Sequence, residues 1–136
     1  MITTIQLSPS GQGLHEFTHE LRSIVTNSSY EEGLCTIFVK HTSCSLTIQE
    51  NADPSARHDL ENWLNRLVGE NDSLYTHTME GADDMPSHIK SALTSTSLSI
   101  PFQDGSLCLG TWQGVFLWEH RHHAGIRKVV VHLSRG

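Results

Sequence analysis

Four histidines and six carboxylates stand at positions that suggest chemistry. His41 closes an apolar run, His77 lies in an acidic stretch, His88 opens a helical pattern after Pro86-Ser87, and His120 directly follows Glu119. Neutral imidazole is a common ligand for zinc and other first-row metals, and histidine exchanges protons near neutral pH. Three such residues converging with a carboxylate would make a metal site or a general acid–base cluster. Each taken alone reads equally well as a capped-loop or satisfied core residue. The acids Glu50, Asp53, Glu80, Asp83, Asp84 and Glu119 bracket the same segments. Asp53 has a structural use as the cap of a helix starting at Pro54, and Asp83 or Asp84 has the same use before Pro86. Two adjacent acids plus Glu80 in one stretch exceed what capping needs, and paired carboxylates suit Mg²⁺ beside substrate phosphates. Arg127 shares the phase of Val129, Val131 and Leu133. Two uses are open to an inward arginine: contact with a phosphate, or a buried salt bridge to a carboxylate such as Glu119.

The other histidines read as surface residues or are left open. His15 and His19 are four apart in a helical pattern but lack a nearby third ligand. His58 and His132 fall opposite the apolar phases of their segments, and His122 and His123 lie in a loop.

These residues are positioned by an alternation of short elements. Residues 3–7 alternate as a strand. Leu14, Phe17, Leu21, Ile24 and Val25 follow helical spacing, which predicts a helix over 13–27. Residues 34–41 and 43–49 read as two strands, joined as a hairpin around His41-Thr42 or continuous as one bent strand. Asp53-Pro54 starts a second helix, with Ala56, Leu60, Trp63, Leu64, Leu67 and Val68 as its buried face and Gly69 as its end. Residues 70–85 form a long polar loop, of the kind that is often functional. A short helix follows to Ala92 or Leu93. Residues 97–102 and a turn at Gln103-Asp104-Gly105 lead into the stretch Gly105–Arg121, read as one long strand with both faces largely apolar. Glu119 ends one of those faces and is expected to meet His41, His77 or His88. Residues 126–133 make the last strand. The order predicts an α+β domain, single over 1–136, with a largely antiparallel sheet or sandwich, two main helices and one short helix.

Composition bounds the partners. The 136-residue chain has a formal charge of −6 and ten histidines against nine Lys plus Arg. That balance argues against a nucleic-acid binder but allows a small phosphorylated ligand held by a local cation. No apolar run is long enough for a membrane span, and the N-terminus does not read as a signal peptide. Cys35, Cys44 and Cys108 form no CxxC pair. Reduced, buried thiols in a cytoplasmic protein are expected, with a catalytic thiol as the alternative.

Several of these segments are familiar in combination. His41-Thr42-Ser43-Cys44-Ser45-Leu46, Glu50-Asn51-Ala52-Asp53-Pro54, Tyr75-Thr76-His77 with Gly81 and Asp83-Asp84, His88-Ile89-Lys90, and above all Leu109-Gly110-Thr111-Trp112-Gln113 occur in the order of the YjbQ-like family. The chain resembles that family, also called the secondary thiamine-phosphate synthase family, over nearly its whole length. The wording from Asp83 to His88 and at Glu119-His120-Arg121 looks close to its bacterial branch. The resemblance implies a small α+β domain assembling as a homotrimer, with clefts between subunits lined by His and acidic residues. It implies a weak activity joining an aminopyrimidine diphosphate to a thiazole phosphate with release of pyrophosphate, assisted by a divalent metal, Mg or Zn. The candidate catalytic residues are then His41, Asp84, His88 and Glu119. The candidate substrate contacts are Asp53, Trp112, Gln113 and Arg127, with Trp112 either a stacking surface or plain core. The candidate metal ligands are His77, His88 and His41. The loop after Glu119, HRHHAGIR, departs from the acidic-Gly-Pro-Arg sequence of many relatives. The alternatives are a non-catalytic or promiscuous homotrimer that binds a metal or phosphometabolite, and a metal-dependent hydrolase.

Overall fold

A computed structural model describes all residues 1–136. The elements run β1 (Ile2–Leu7), β2 (Gly13–Glu16), α1 (Thr18–Asn27), β3 (Glu32–Val39), β4 (Cys44–Glu50), α2 (Pro54–Leu67), α3 (Asp84–Leu93), β5 (Ser97–Gln103), β6 (Ser106–Leu107), β7 (Gln113–Glu119) and β8 (Arg127–Arg135). They form two antiparallel sheets, one of five strands in the order β1-β8-β3-β5-β6 and one of three in the order β2-β7-β4. The expected α+β class holds, as a single domain with three helices.

The two sheets face each other across the main core. Ile37, Val39, Ile100, Phe102, Val129, Val131 and Leu133 line it from the larger sheet. Cys44, Leu46, Val115 and Leu117 line it from the smaller one, and Phe17, Leu21 and Val25 close one side. The opposite face of the smaller sheet carries Leu14, Phe116 and Trp118, which pack against Leu64 and Val68 around α2. So β7 is covered on both faces, as its two apolar phases require. Burying each such side chain contributes roughly 1.5–3 kcal/mol.

Four sequence expectations change. The stretch Gly105–Arg121 is two strands in two different sheets: β6 ends at Leu107, and a turn at Gly110–Gln113 redirects the chain into β7. β3 and β4 likewise belong to different sheets, so the segment at His41-Thr42 is a crossing between layers and neither a hairpin nor one strand. The helix expected from Gly13 begins only at Thr18. Residues Gly13–Glu16 pair with β7, which sends Leu14 to the α2 side while Phe17 enters the main core. The buried stripe of α2 is also narrower than expected. Leu64 is buried, whereas Trp63 and Leu67, one step round the helix, are half exposed.

The turn at Asp104-Gly105 forms as expected, with positive φ of 53° and 73° at its two residues. That is the geometry of a tight hairpin connection, and glycine adopts it without strain. Gly114 answers a different need, since a Cβ there would sit 2.5 Å from Glu16 Oε2.

Candidate functional site

The loop after α2, the first turn of α3 and the segment after β7 meet on one side of the molecule. Asp84 and His88 are four apart on α3 and so share a helix face. Asp84 Oδ2 lies 2.8 Å from His77 Nε2 and 3.1 Å from His88 Nε2, and the ligand atoms of the three residues lie within 4.8 Å of one another. Arg121 completes the group. Its Nη1 donates to Asp84 Oδ1 at 2.9 Å, its Nη2 donates to the Glu80 carbonyl, and its Nε is 3.2 Å from Asp83. Burial works to raise the Asp84 carboxyl, but the His77 bond and the charges of His88 and Arg121 outweigh it and hold it below the usual carboxylate range.

The orientation of His88 is informative. Its Nδ1 is 3.1 Å from the Thr42 carbonyl, an acceptor only, so Nδ1 carries the ring proton. In the neutral ring Nε2 is then a bare lone pair, and it faces another acceptor, the Asp84 carboxylate. Two acceptors facing at this distance need a proton or a cation between them. A ring nitrogen fixed by a backbone carbonyl, with the other aimed at a carboxylate, is the usual outer support of a metal-binding histidine. These residues therefore fit a divalent cation: His77, His88 and Asp84 would hold it, with Arg121 supporting Asp84 from behind.

Of the expected metal set, His77 and His88 converge, but His41 does not join them, and Asp84 takes its place. His41 Nε2 accepts from the Lys128 backbone N–H at 2.9 Å, which uses the lone pair a metal would need. Its Nδ1 is 3.3 Å from Arg127 Nη1. Burial, and next the Arg127 charge, lower its pKa and keep it neutral.

Glu119 and Arg127 form a second, separate group. Glu119 is fully buried and receives Arg127 Nε and Nη2, each at 2.6 Å, together with the Arg121 backbone N–H at 3.0 Å. Arg127 Nη2 also donates to Ser43 Oγ. The buried salt bridge is thus the arrangement that Arg127 adopts. Glu119 reaches the vicinity of His41 through it, and does not contact His77 or His88.

Three other candidates lie elsewhere. Asp53 caps α2, accepting from the Ser55 backbone N–H at 2.9 Å. Gln113 closes the Gly110–Gln113 turn, its Oε1 accepting from the Gly110 N–H at 2.7 Å, while Trp112 stands at the tip, 63% exposed. Trp112 is therefore not core. Gln113 and Glu119 terminate opposite ends of β7, roughly 20 Å apart at strand rise, so within one chain they cannot serve one small site.

Sequence reasoning missed Arg121, the Ser45–His120 pair and Lys90. His120 is buried, with Nε2 2.9 Å from Ser45 Oγ, and burial pushes its pKa down to about 3, so it is neutral. Lys90 is buried on α3 with its Nζ on Asn65 of α2, and its signal in sequence was a place on the buried side of a short helix.

The comparisons with known proteins agree on one family. The family model described as UPF0047 protein YjbQ-like matches residues 3–136. A UPF0047 protein of Synechocystis sp. is 52% identical over 94% of this chain and 87% of its own. The UPF0047 protein YjbQ of Escherichia coli is 45% identical over 96% and 95%. Among solved structures, a conserved hypothetical protein of Thermus thermophilus aligns with TM-score 0.86 at 33% identity, over 97% of this chain and 99% of that one. A YbjQ-like protein of unknown function from Sulfolobus solfataricus shares the fold at TM-score 0.91 and 23% identity, over 100% and 97%. By its match along nearly every residue, the chain belongs to the YjbQ-like UPF0047 family.

Proposed function

We propose that the chain is a metal-assisted transferase of the secondary thiamine-phosphate synthase type, joining an aminopyrimidine diphosphate to a thiazole phosphate and releasing pyrophosphate. The observation that carries the metal-assisted part is the facing of His88 Nε2 and Asp84 Oδ2, with His77 on the same oxygen. The substrate class comes from the family resemblance. A divalent ion held there would supply positive charge to the departing diphosphate. Two ring nitrogens and one carboxylate oxygen suit zinc or another first-row ion better than Mg²⁺, which prefers oxygen ligands. In this reading Asp84 and His88 act at the centre, while Glu119, Arg127 and His41 position the chain around it.

A second reading, a metal-dependent hydrolase, is favoured by the same donor set, because three protein ligands leave a fourth position for water. We place the protein in the cytoplasm as a homotrimer. None of its three cysteines is paired, which fits a reducing compartment. Leu34 and Phe38 stand exposed on β3, which fits a face that a second copy covers. No helix is long and apolar enough to cross a membrane.

The test is zinc, manganese and magnesium titration of the chelator-stripped protein, with growth of a thiamine-phosphate-synthase-null bacterium on supplied precursors. Wild type should bind one ion per chain and rescue growth, and Asp84→Asn and His88→Ala should lose both. Ion binding without rescue, but with chelator-sensitive ester hydrolysis, would favour the hydrolase. Undiminished rescue by both variants would remove the proposed centre.

A further inference from the structure

We propose that Lys90 and the cavity beside it form an orthophosphate subsite separate from the His77–Asp84–His88 cluster. Lys90 is 3% exposed. A lysine so deeply buried is almost always matched by an opposite charge, because an uncompensated ammonium is costly to desolvate. No ion pair of the chain includes Lys90. Its hydrogen bond goes to a neutral acceptor, Asn65 Oδ1, at 2.7 Å. Asn65 in turn donates to Gln12 Oε1 at 3.2 Å, and Gln12 Nε2 donates to the His120 carbonyl at 2.9 Å. This row of amides holds the ammonium in place, and the carboxylates of Glu70 and Asp83 act on it only through space, without a direct ion pair. Two of its three N–H groups remain free, and each of the two amides keeps a second N–H.

Room for an anion in direct contact with Lys90 lies alongside, in a cavity of about 290 Å³ lined by Gln12, Asn65, Val68, Glu70, Lys90 and His122. The cavity also contains one carboxylate, Glu70, bonded to His122 Nε2 at 2.6 Å. That acid narrows the ligand. A fully deprotonated oxyanion such as sulfate would satisfy Lys90 but meet Glu70 lone pair to lone pair. Monohydrogen phosphate has oxygens to accept from Lys90 and the amides, and one O–H to donate to Glu70. A phosphate monoester, whose second pKa is about 6, lacks that proton at pH 7.5 and should be disfavoured. The site therefore selects free orthophosphate over both.

The experiment is calorimetric titration and thermal unfolding of the full chain at pH 7.5. It uses phosphate-free buffer with EDTA, which silences any metal centre and keeps this test independent of the transferase reading. The probes are orthophosphate, sulfate and methyl phosphate. Orthophosphate should bind saturably and raise the unfolding temperature, with sulfate and methyl phosphate weaker by about tenfold or more, the cost of a charged hydrogen bond left unmade. Lys90→Met should abolish the response while keeping or raising the ligand-free unfolding temperature. Glu70→Gln should bring sulfate to within about threefold of phosphate. No saturable response in wild type, equal binding of sulfate and phosphate, or a response retained by Lys90→Met would each overturn the proposal. The wild-type and Glu70→Gln comparisons decide it even if Lys90→Met does not fold.

Discussion

His120 should make the protein lose stability on mild acidification, well above the pH at which carboxylates titrate. The side chain is 1% exposed, bonded to Ser45 Oγ, and held neutral with a pKa near 3 against an ordinary 6.5. Burial is the main cause, and the charges of Lys90 and Arg127 add to it. The sign follows from proton uptake. Below 6.5 the unfolded chain binds a proton at His120 and the folded chain does not, so acid favours unfolding. The contribution is fully present above 6.5 and is lost as pH falls toward 3. One proton corresponds to about 1.4 kcal/mol per pH unit, so the whole window holds at most about 5 kcal/mol. Between about pH 6.5 and 4.5 the loss should be about 2 kcal/mol, a large share of a typical domain's stability. Urea unfolding of wild type and His120→Gln at a series of pH values measures it. The variant is neutral throughout and keeps a polar partner for Ser45. His41 and the carboxylates titrate in both proteins and cancel in the difference. The wild-type curve should fall toward the variant's, or below it, by that amount on acidification. Parallel curves, or a relative gain by wild type in acid, would refute the reasoning.

Glu119→Gln should destabilise by about 3–5 kcal/mol in urea unfolding, because it leaves the Arg127 guanidinium buried without its counter-charge. Combining Glu119→Leu with Arg127→Met should recover most of that loss, and strictly additive effects in the cycle would show that the two residues are not coupled. Trp112→Ala should cost less than about 1 kcal/mol, since the ring stands at an exposed turn, and a loss of about 3 kcal/mol or more would return Trp112 to the core.

The local signals that proved reliable share a short range. The Asp53 cap with Pro54, the Asp104-Gly105 turn and the alternation that points Arg127 inward all depend on neighbours a few residues away. The apolar phases on both sides of Val115–Glu119 likewise announced a strand covered twice. Where periodicity misled, two patterns overlapped. Leu14, Phe17 and Leu21 have helical spacing, yet Leu14 and Phe17 enter different cores, which a strand at Gly13–Glu16 permits and a helix face does not. In Gly105–Arg121 the apolar alternation runs through, and only the sheet partition reveals the turn at Gly110–Gln113.

The sequence by itself determined the family, the α+β class, and a pool of histidines and acids from which the site is drawn. Only the tertiary structure decided which of them meet. It joined Asp84 to His77, His88 and Arg121, tied Glu119 to Arg127, set His41 on the Lys128 amide, and left Trp112 in the open. The reason is physical. Side-chain phase is set by backbone geometry within an element. The pairing of Arg121 with Asp84, 37 residues apart, is set by how two sheets and three helices share their apolar faces. Lys90 shows the same division: its place on α3 is local, but its burial without a direct ion pair, with its Nζ on Asn65 of α2, exists only in the folded chain.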